Sequence, residues 1–213
     1  MTTWLETTEM RWFADGPLPA EVHTWFTLEG TVGRVERRGD DYLLDGRTDV
    51  GIKRRSGDLL ERKVRTQVGA GASLPEGPAG QLEDWCKQSP ADHRPPPDGG
   101  VRRAWVAKTI TRRRFAPTGE EVVPSDEPPT DGACDIEIIE VGTAGGVAWS
   151  LAIAASGDAQ GRESVIQAVW TQLLGKAPSP PMAVRSLGWS GGYPAWLAEV
   201  HRCDDAARAP LTG

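Results

Sequence analysis

The chain has 213 residues, with 24 Lys and Arg against 30 Asp and Glu and a formal net charge of −6. The length favours one decorated domain over two, and the acidic balance argues against general nucleic-acid binding. No apolar run approaches the roughly 20 residues that span a bilayer, and the opening MTTWLETTEMRWF has neither the basic start nor the apolar stretch of a signal peptide, so a cytoplasmic protein without a membrane partner is expected.

From the N-terminus, Thr7, Glu9 and Arg11 alternate with Thr8, Met10 and Trp12, which predicts a strand with one polar face. Pro19 can start a helix over 20–26 with Val22, Trp25 and Phe26 inward. A strand is expected at 42–44, then a hairpin of 48–55 and 59–66 joined by a tight turn at Ser56-Gly57-Asp58. Period two places Lys53 and Arg55 on one face of the first arm and Glu61, Lys63 and Arg65 on one face of the second, with Leu60 and Val64 opposite. Residues 69–80 and 89–100 are rich in Gly and Pro and read as excursions from the sheet, flanking a short helix at 81–87 that carries Trp85.

A long strand follows over 102–115, with Lys108, Arg112 and Arg114 sharing parity, and then a Pro- and acid-rich loop over 116–132. Strands at 135–141 and 147–155 are joined by a turn, the first presenting Asp135 and Glu137 together. The pattern over 164–174 predicts a helix with Val165, Ile166, Val169, Trp170, Leu173 and Leu174 on one stripe and Gly175 as its stop. A last helix begins near Pro194 with Trp196, Leu197 and Val200 inward, and 206–213 reads as a frayed tail after a single domain over 1–205. Cys86, Cys134 and Cys203 form no C-x-x-C pair, which predicts small buried side chains over a disulfide framework or zinc site. His23, His93 and His201 show no ligand spacing. Trp12, Trp25, Trp85, Trp105, Trp149 and Trp170 stand at core-like positions, where anchoring outweighs base stacking.

The average charge hides a separation. Residues 47–65 hold seven Lys and Arg against three acids, and 102–114 hold six and no acid. A solvated strand face normally mixes signs to limit repulsion, so cations concentrated on strands point to an anion that resolves them. In a small closed barrel, inward and outward residues alternate and a polar inner face becomes a lined tunnel. Arg11, Lys53, Arg55, Lys63, Arg65, Lys108, Arg112 and Arg114 would then bind a polyanion, Arg through planar bidentate contacts. Glu9, Asp135 and Glu137 would either neutralise these neighbours or hold a hard divalent cation. The expected fold is α+β, an antiparallel β-barrel of about eight strands with peripheral helices.

These residues resemble the CYTH superfamily of triphosphate tunnel metalloenzymes. The family's opening E-x-E-x-K is represented by Thr7-Thr8-Glu9-Met10-Arg11, in which the first Glu is Thr and the Lys is Arg. Its basic hairpin is matched by Gly51-Ile52-Lys53-Arg54-Arg55 and Leu60-Glu61-Arg62-Lys63-Val64-Arg65, and an acidic strand by Asp135-Ile136-Glu137. The order of Arg47-Thr48-Asp49, Glu137-Ile138-Ile139-Glu140, Trp149 and Gly192-Tyr193-Pro194-Ala195-Trp196-Leu197 is similar to bacterial CYTH-like proteins, in which the strand after the Trp tends to end in a carboxylate. Here that stretch, through Ala154, has none.

The resemblance implies a triphosphate-type small anion as partner and metal-dependent hydrolysis or transfer, with Lys and Arg neutralising phosphates and Glu9 and Glu137 positioning Mg²⁺ or Mn²⁺. With Thr7 and Ala154 in place of carboxylates, metal affinity should fall, so a catalytically inactive phosphate-binding protein, or a partner-binding one with a degenerate metal site, is the alternative. Gly188-Trp189-Ser190-Gly191-Gly192 matches G-x-S-x-G, but no parallel sheet surrounds it and only His201 follows, so a hydrolase triad is not expected.

Overall fold

A computed structural model describes residues 3–28, 33–55, 59–89, 102–125 and 129–208. Its strands are β1 (Thr3–Asp15), β2 (Arg34–Leu44), β3 (Val50–Arg55), β4 (Leu59–Ser73), β5 (Ala79–Ser89), β6 (Arg102–Phe115), β7 (Glu121–Val122), β8 (Cys134–Thr143), β9 (Gly146–Ser156) and β10 (Trp189–Ser190). Helix α1 (Ala20–Phe26) follows β1, and α2 (Ala159–Lys176), α3 (Met182–Arg185) and α4 (Tyr193–Arg208) follow β9.

Eight strands run antiparallel in the order β1-β5-β4-β3-β2-β6-β8-β9, and β9 returns to pair with β1. The ring closes because β1 is long enough to serve two neighbours. Its first half pairs β5 from Thr3↔Ser89 to Glu9↔Glu83, and its second half pairs β9 from Thr7↔Ser156 to Asp15↔Ala148. The expected α+β barrel is therefore present, with β7 and β10 as short additions on β6 and β1.

Closure gives the two strand faces separate tasks. Outward residues of β1, β8 and β9, among them Met10, Trp12, Ile136, Ile138, Leu151 and Ile153, form one apolar core with Val22, Trp25 and Phe26 of α1 and Ile166, Val169, Trp170 and Leu173 of α2. Inward residues toward one end of the barrel form a second. There Phe13, Tyr42, Val106, Ile110, Ile139 and Val141 surround Trp196 and Leu197 of α4. Phe13 and Trp196 stack with ring centroids 4.5 Å apart and planes 4° from parallel. Gly51 on β3 leaves room for the helix, since a Cβ there would approach Pro194 Cγ to 3.1 Å. The first turn of α4 thus stoppers the barrel, and among the described residues nothing closes the other end.

Several expectations are corrected. Residues 81–87 form strand β5, not a helix. Leu82 and Trp85 are both buried at helical spacing, but one faces the outer core and the other the barrel interior. Residues 69–73 are not an excursion: they extend β4 and pair with β5 through register shifts between Arg65/Gln67 and Val68/Gly71. The strand expected at 42–44 is the end of the longer β2. Gly175 lies inside α2, which ends at Lys176 with Ala177 as its cap. Trp105 is not core; it is 63% exposed and lies across Gly39, where a Cβ would overlap its ring. The turn at 56–58 and residues 90–101 and 209–213 lie outside the described residues, while α4 carries the chain through Arg208. Among the described residues no helix is long and apolar enough to cross a membrane.

Trp196→Ala should lower stability by about 3–5 kcal/mol, the usual cost of emptying a buried aromatic site. Trp4→Ala, removing an indole that is 60% exposed, should cost no more than about 0.5 kcal/mol. Urea unfolding of both variants checks the contrast, and equal losses would contradict the stopper.

Candidate functional site: a cationic cup inside the barrel

Inward positions of all eight ring strands converge on one cavity of about 330 Å³, closed below by Tyr42 and Tyr193. Nine Lys and Arg line it against five carboxylates. Of the residues singled out from sequence, Arg11, Lys53, Arg55, Lys63, Lys108, Arg112 and Arg114 line the cavity, as do Glu9, Asp135 and Glu137. Arg65 does not. It donates to Glu83 Oε1 and lies beside the Trp85 ring, 5.8 Å from its centroid. Thr7 and Ala154 also line the wall.

The register explains the convergence. Arg112 on β6 faces Glu137 on β8, which faces Ala152 on β9, which faces Arg11 on β1. One rung nearer the mouth, the sequence Arg114, Asp135, Ala154 and Glu9 repeats the pattern. The inner face of β9 is small throughout, with Ala148, Ser150, Ala152 and Ala154, and leaves volume that the long side chains of β1 and β8 share.

Sequence reasoning missed the contribution of β2. Glu36, Arg38 and Tyr42 line the cavity and Asp40 lies fully buried behind it. The signal was parity, since counting back in twos from Tyr42 gives Asp40, Arg38 and Glu36. Charges on the outer face, Arg37 and Asp41, obscured it. Lys87 was hidden by the helical reading of β5.

Asp40 organises the floor. Lys53 Nζ donates to its Oδ2 at 2.9 Å and Lys108 Nζ at 2.7 Å, while Arg38 Nε and Arg55 Nε stand 3.6 and 3.8 Å from Oδ1. Those last two separations are too long for hydrogen bonds, and both Nε atoms are buried donors without a hydrogen-bond partner. Lys108 also donates to Tyr42 Oη at 2.8 Å and sits 3.7 Å from the Tyr193 ring centroid. Glu61 is shared likewise: Lys53 at 3.2 Å, Arg55 at 3.0 Å and Lys87 at 2.6 Å. Arg38 has a further partner in Glu36, whose Oε1 accepts from its Nη1 at 2.7 Å, so three carboxylates serve five cations: Arg38, Lys53, Arg55, Lys87 and Lys108.

Titration follows from this crowding. Burial would raise the Asp40 carboxyl, but Lys53, Lys108 and Arg38 outweigh it and hold it well below the usual carboxylate range. Burial likewise works against Glu61, which Lys53, Lys87 and Arg55 bring down to about 2. Burial lowers Lys53 to about 8 despite Asp40, and lowers Lys108 well below its ordinary value with Lys53 adding repulsion. Glu137 is burdened by burial yet held well below the usual range by Arg112 and Arg11, and it raises Arg112 in return.

The carboxylates expected to hold Mg²⁺ or Mn²⁺ do not fit that task. Glu9 accepts from Lys63 Nζ at 2.7 Å, both oxygens of Asp135 accept from Arg114 at 2.7 and 2.9 Å, and Glu137 accepts from Arg112 at 2.7 Å. Among the described residues no three His, Cys, Asp or Glu side chains form a metal-holding group. The G-x-S-x-G serine is structural: Ser190 pairs with Trp12 on β1, and its Oγ accepts the Gln81 N–H.

No protein-family profile and no curated protein matches the sequence. Among solved structures, the S. pombe Pct1 RNA triphosphatase is similar, with a TM-score of 0.40 and 9% identity over 87% of this chain and 86% of that one. The same enzyme in complex with the Spt5 CTD gives 0.39 and 9% over 87% of each chain. Similarity at this level is too low to carry residue roles across.

Asp40→Asn leaves Lys108 and Lys53 buried without their counter-charge and should cost about 3–5 kcal/mol at neutral pH. Because the Asp40 carboxyl is depressed on folding, its contribution is present above its unfolded value near 4 and is lost as pH falls toward the folded one. The gap between parent and variant in denaturant unfolding should narrow below about pH 4; a gap that stays constant would contradict the pairing.

Proposed function

We propose that the protein binds a short chain of phosphates, of the inorganic tripolyphosphate or nucleoside triphosphate type, inside the barrel. The observation that carries this reading is the sharing of Glu36, Asp40 and Glu61 among five cations, behind and within a wall of nine cations and five carboxylates. Burying an ion costs several kcal/mol even after relaxation, and buried pairs do no better for stability than apolar packing. An interior with surplus cations is thus a standing cost that an anion would offset. The barrel agrees with the fold implied by the likeness to triphosphate tunnel enzymes.

Binding proceeds from the end opposite α4, because the aromatic cluster of Phe13, Trp196 and Tyr193 closes the other. Arg114 and Lys87 draw the anion in by long-range attraction. Arg11, Arg38, Arg55 and Arg112 present planar guanidinium groups that match phosphate oxygens in pairs, and Lys53 supplies a point charge above Asp40. The buried Nε donors of Arg38 and Arg55 gain acceptors. A reading as a metal-dependent triphosphatase has less support, since it needs Glu9, Asp135 or Glu137 released from Lys63, Arg114 and Arg112.

Tripolyphosphate at about one hundred times its dissociation constant should add about 2.7 kcal/mol, a rise in melting temperature of roughly 5–10 °C for a chain of this size. Sulfate at equal ionic strength should give far less. Arg55→Ala, which leaves Asp40 and Glu61 paired with lysines, should remove most of the shift; an undiminished shift would refute binding in this cavity.

A bound polyanion favours the charged form of Lys53, which faces Asp40 and Arg38 on β2, Arg55 on β3, Glu61 on β4 and Lys108 on β6. Since Lys53 titrates at about 8 in the free protein, binding should take up protons near that pH and weaken as pH rises through it. Calorimetry in buffers of different ionisation enthalpy tests the sign, and proton release would contradict it.

A further inference from the structure

We infer that the cavity takes its phosphate chain as the metal-free anion, its own guanidinium and ammonium groups standing where a divalent cation would otherwise sit, so that Mg²⁺ opposes binding. This rests on the reading of the cavity as a phosphate-chain site. It is carried by where the three carboxylates that β1 and β8 present to the cavity are spent.

Glu9 is bonded to Lys63, Asp135 to Arg114 through both oxygens, and Glu137 to Arg112, with Arg11 Nη2 3.6 Å from its other oxygen. The wall between Glu9 and Asp135 offers nothing more. Ala154 stands in register with both of them, and Ala152 with both Arg11 and Glu137, so β9 presents methyl groups where further oxygen ligands would be needed. Thr7, the remaining inward position at that level of β1, contributes one neutral hydroxyl. Mg²⁺ demands near-octahedral oxygen coordination and gives up water reluctantly. To recruit any of these carboxylates it must displace a guanidinium or ammonium that would then be left without its partner.

The ligand side of the balance points the same way. A phosphate chain chelated by Mg²⁺ presents two fewer negative charges to a wall whose cations outnumber its carboxylates by four. It also has phosphate oxygens already engaged by the metal, which the Arg side chains can no longer take in pairs. Free tripolyphosphate meets neither obstacle.

Isothermal titration of the full chain with tripolyphosphate, once in EDTA and once with Mg²⁺ in excess over ligand, tests the inference. Binding in EDTA that weakens roughly tenfold or more with Mg²⁺ is the expected result. Binding only when Mg²⁺ is present would overturn the inference and leave the site standing, whereas no binding under either condition would overturn the phosphate-chain site itself. Mn²⁺ electron paramagnetic resonance gives an independent readout. The parent protein should leave the free Mn²⁺ signal unchanged, and Ala154→Glu, which adds a carboxylate between Glu9 and Asp135, should diminish it. Stoichiometric Mn²⁺ uptake by the parent would overturn the inference.

Discussion

Strand β1 hydrogen-bonds to β5 along its first half and to β9 along its second, and this double pairing closes the sheet. Once closed, the alternation of side chains stops being a choice between core and solvent. Every inward residue of eight strands must share one small interior, and every outward residue must meet either water or a helix. The apolar outward faces of β1, β8 and β9 require α1 and α2, and the apolar end of the interior requires α4. What remains inside is the charged cup.

The interior has two layers with opposite logic. Near α4 it is packed like any core, with Phe13 against Trp196 and Tyr42 against Tyr193. Above that floor the same strands switch to Lys and Arg at the next inward positions. Lys108 marks the boundary, bonded to Asp40 and Tyr42 and lying against the Tyr193 ring. Such a position would be cheaper to fill with a methylene chain alone. Lys53 stands beside it, and both ammonium groups share the one carboxylate of Asp40.

Much of this was legible in the sequence where charged side chains recur at alternate positions of a strand. β1, β6 and β8 meet that condition, and with them came Glu9, Arg11, Lys108, Arg112, Arg114, Asp135 and Glu137. Legibility failed where both faces carried the same kind of residue. β2 has charges inside and outside, so Asp40, the carboxylate on which the floor depends, was missed. β5 has apolar groups on both faces, so Leu82 and Trp85 imitated a helix. Arg65 has the right parity, yet the pairing that follows it is irregular, and it bonds to Glu83 beside the Trp85 ring and does not line the cup. Trp105 lies on an outward face that no described helix covers, a fact of tertiary arrangement that local pattern does not encode. The departures from the family pattern at Thr7 and Ala154 were legible too, and both line the cavity beside carboxylates bound to Lys and Arg.

On the proposed reading, the surplus cations of the barrel serve an anion and not one another. Crystals grown with tripolyphosphate in EDTA address this directly. A phosphate chain should lie in the cavity, with oxygens within hydrogen-bond distance of Arg112, Arg55 and Lys53. A cavity that holds only ordered water at saturating tripolyphosphate, with the ion pairs of Asp40 and Glu61 unchanged, would contradict it.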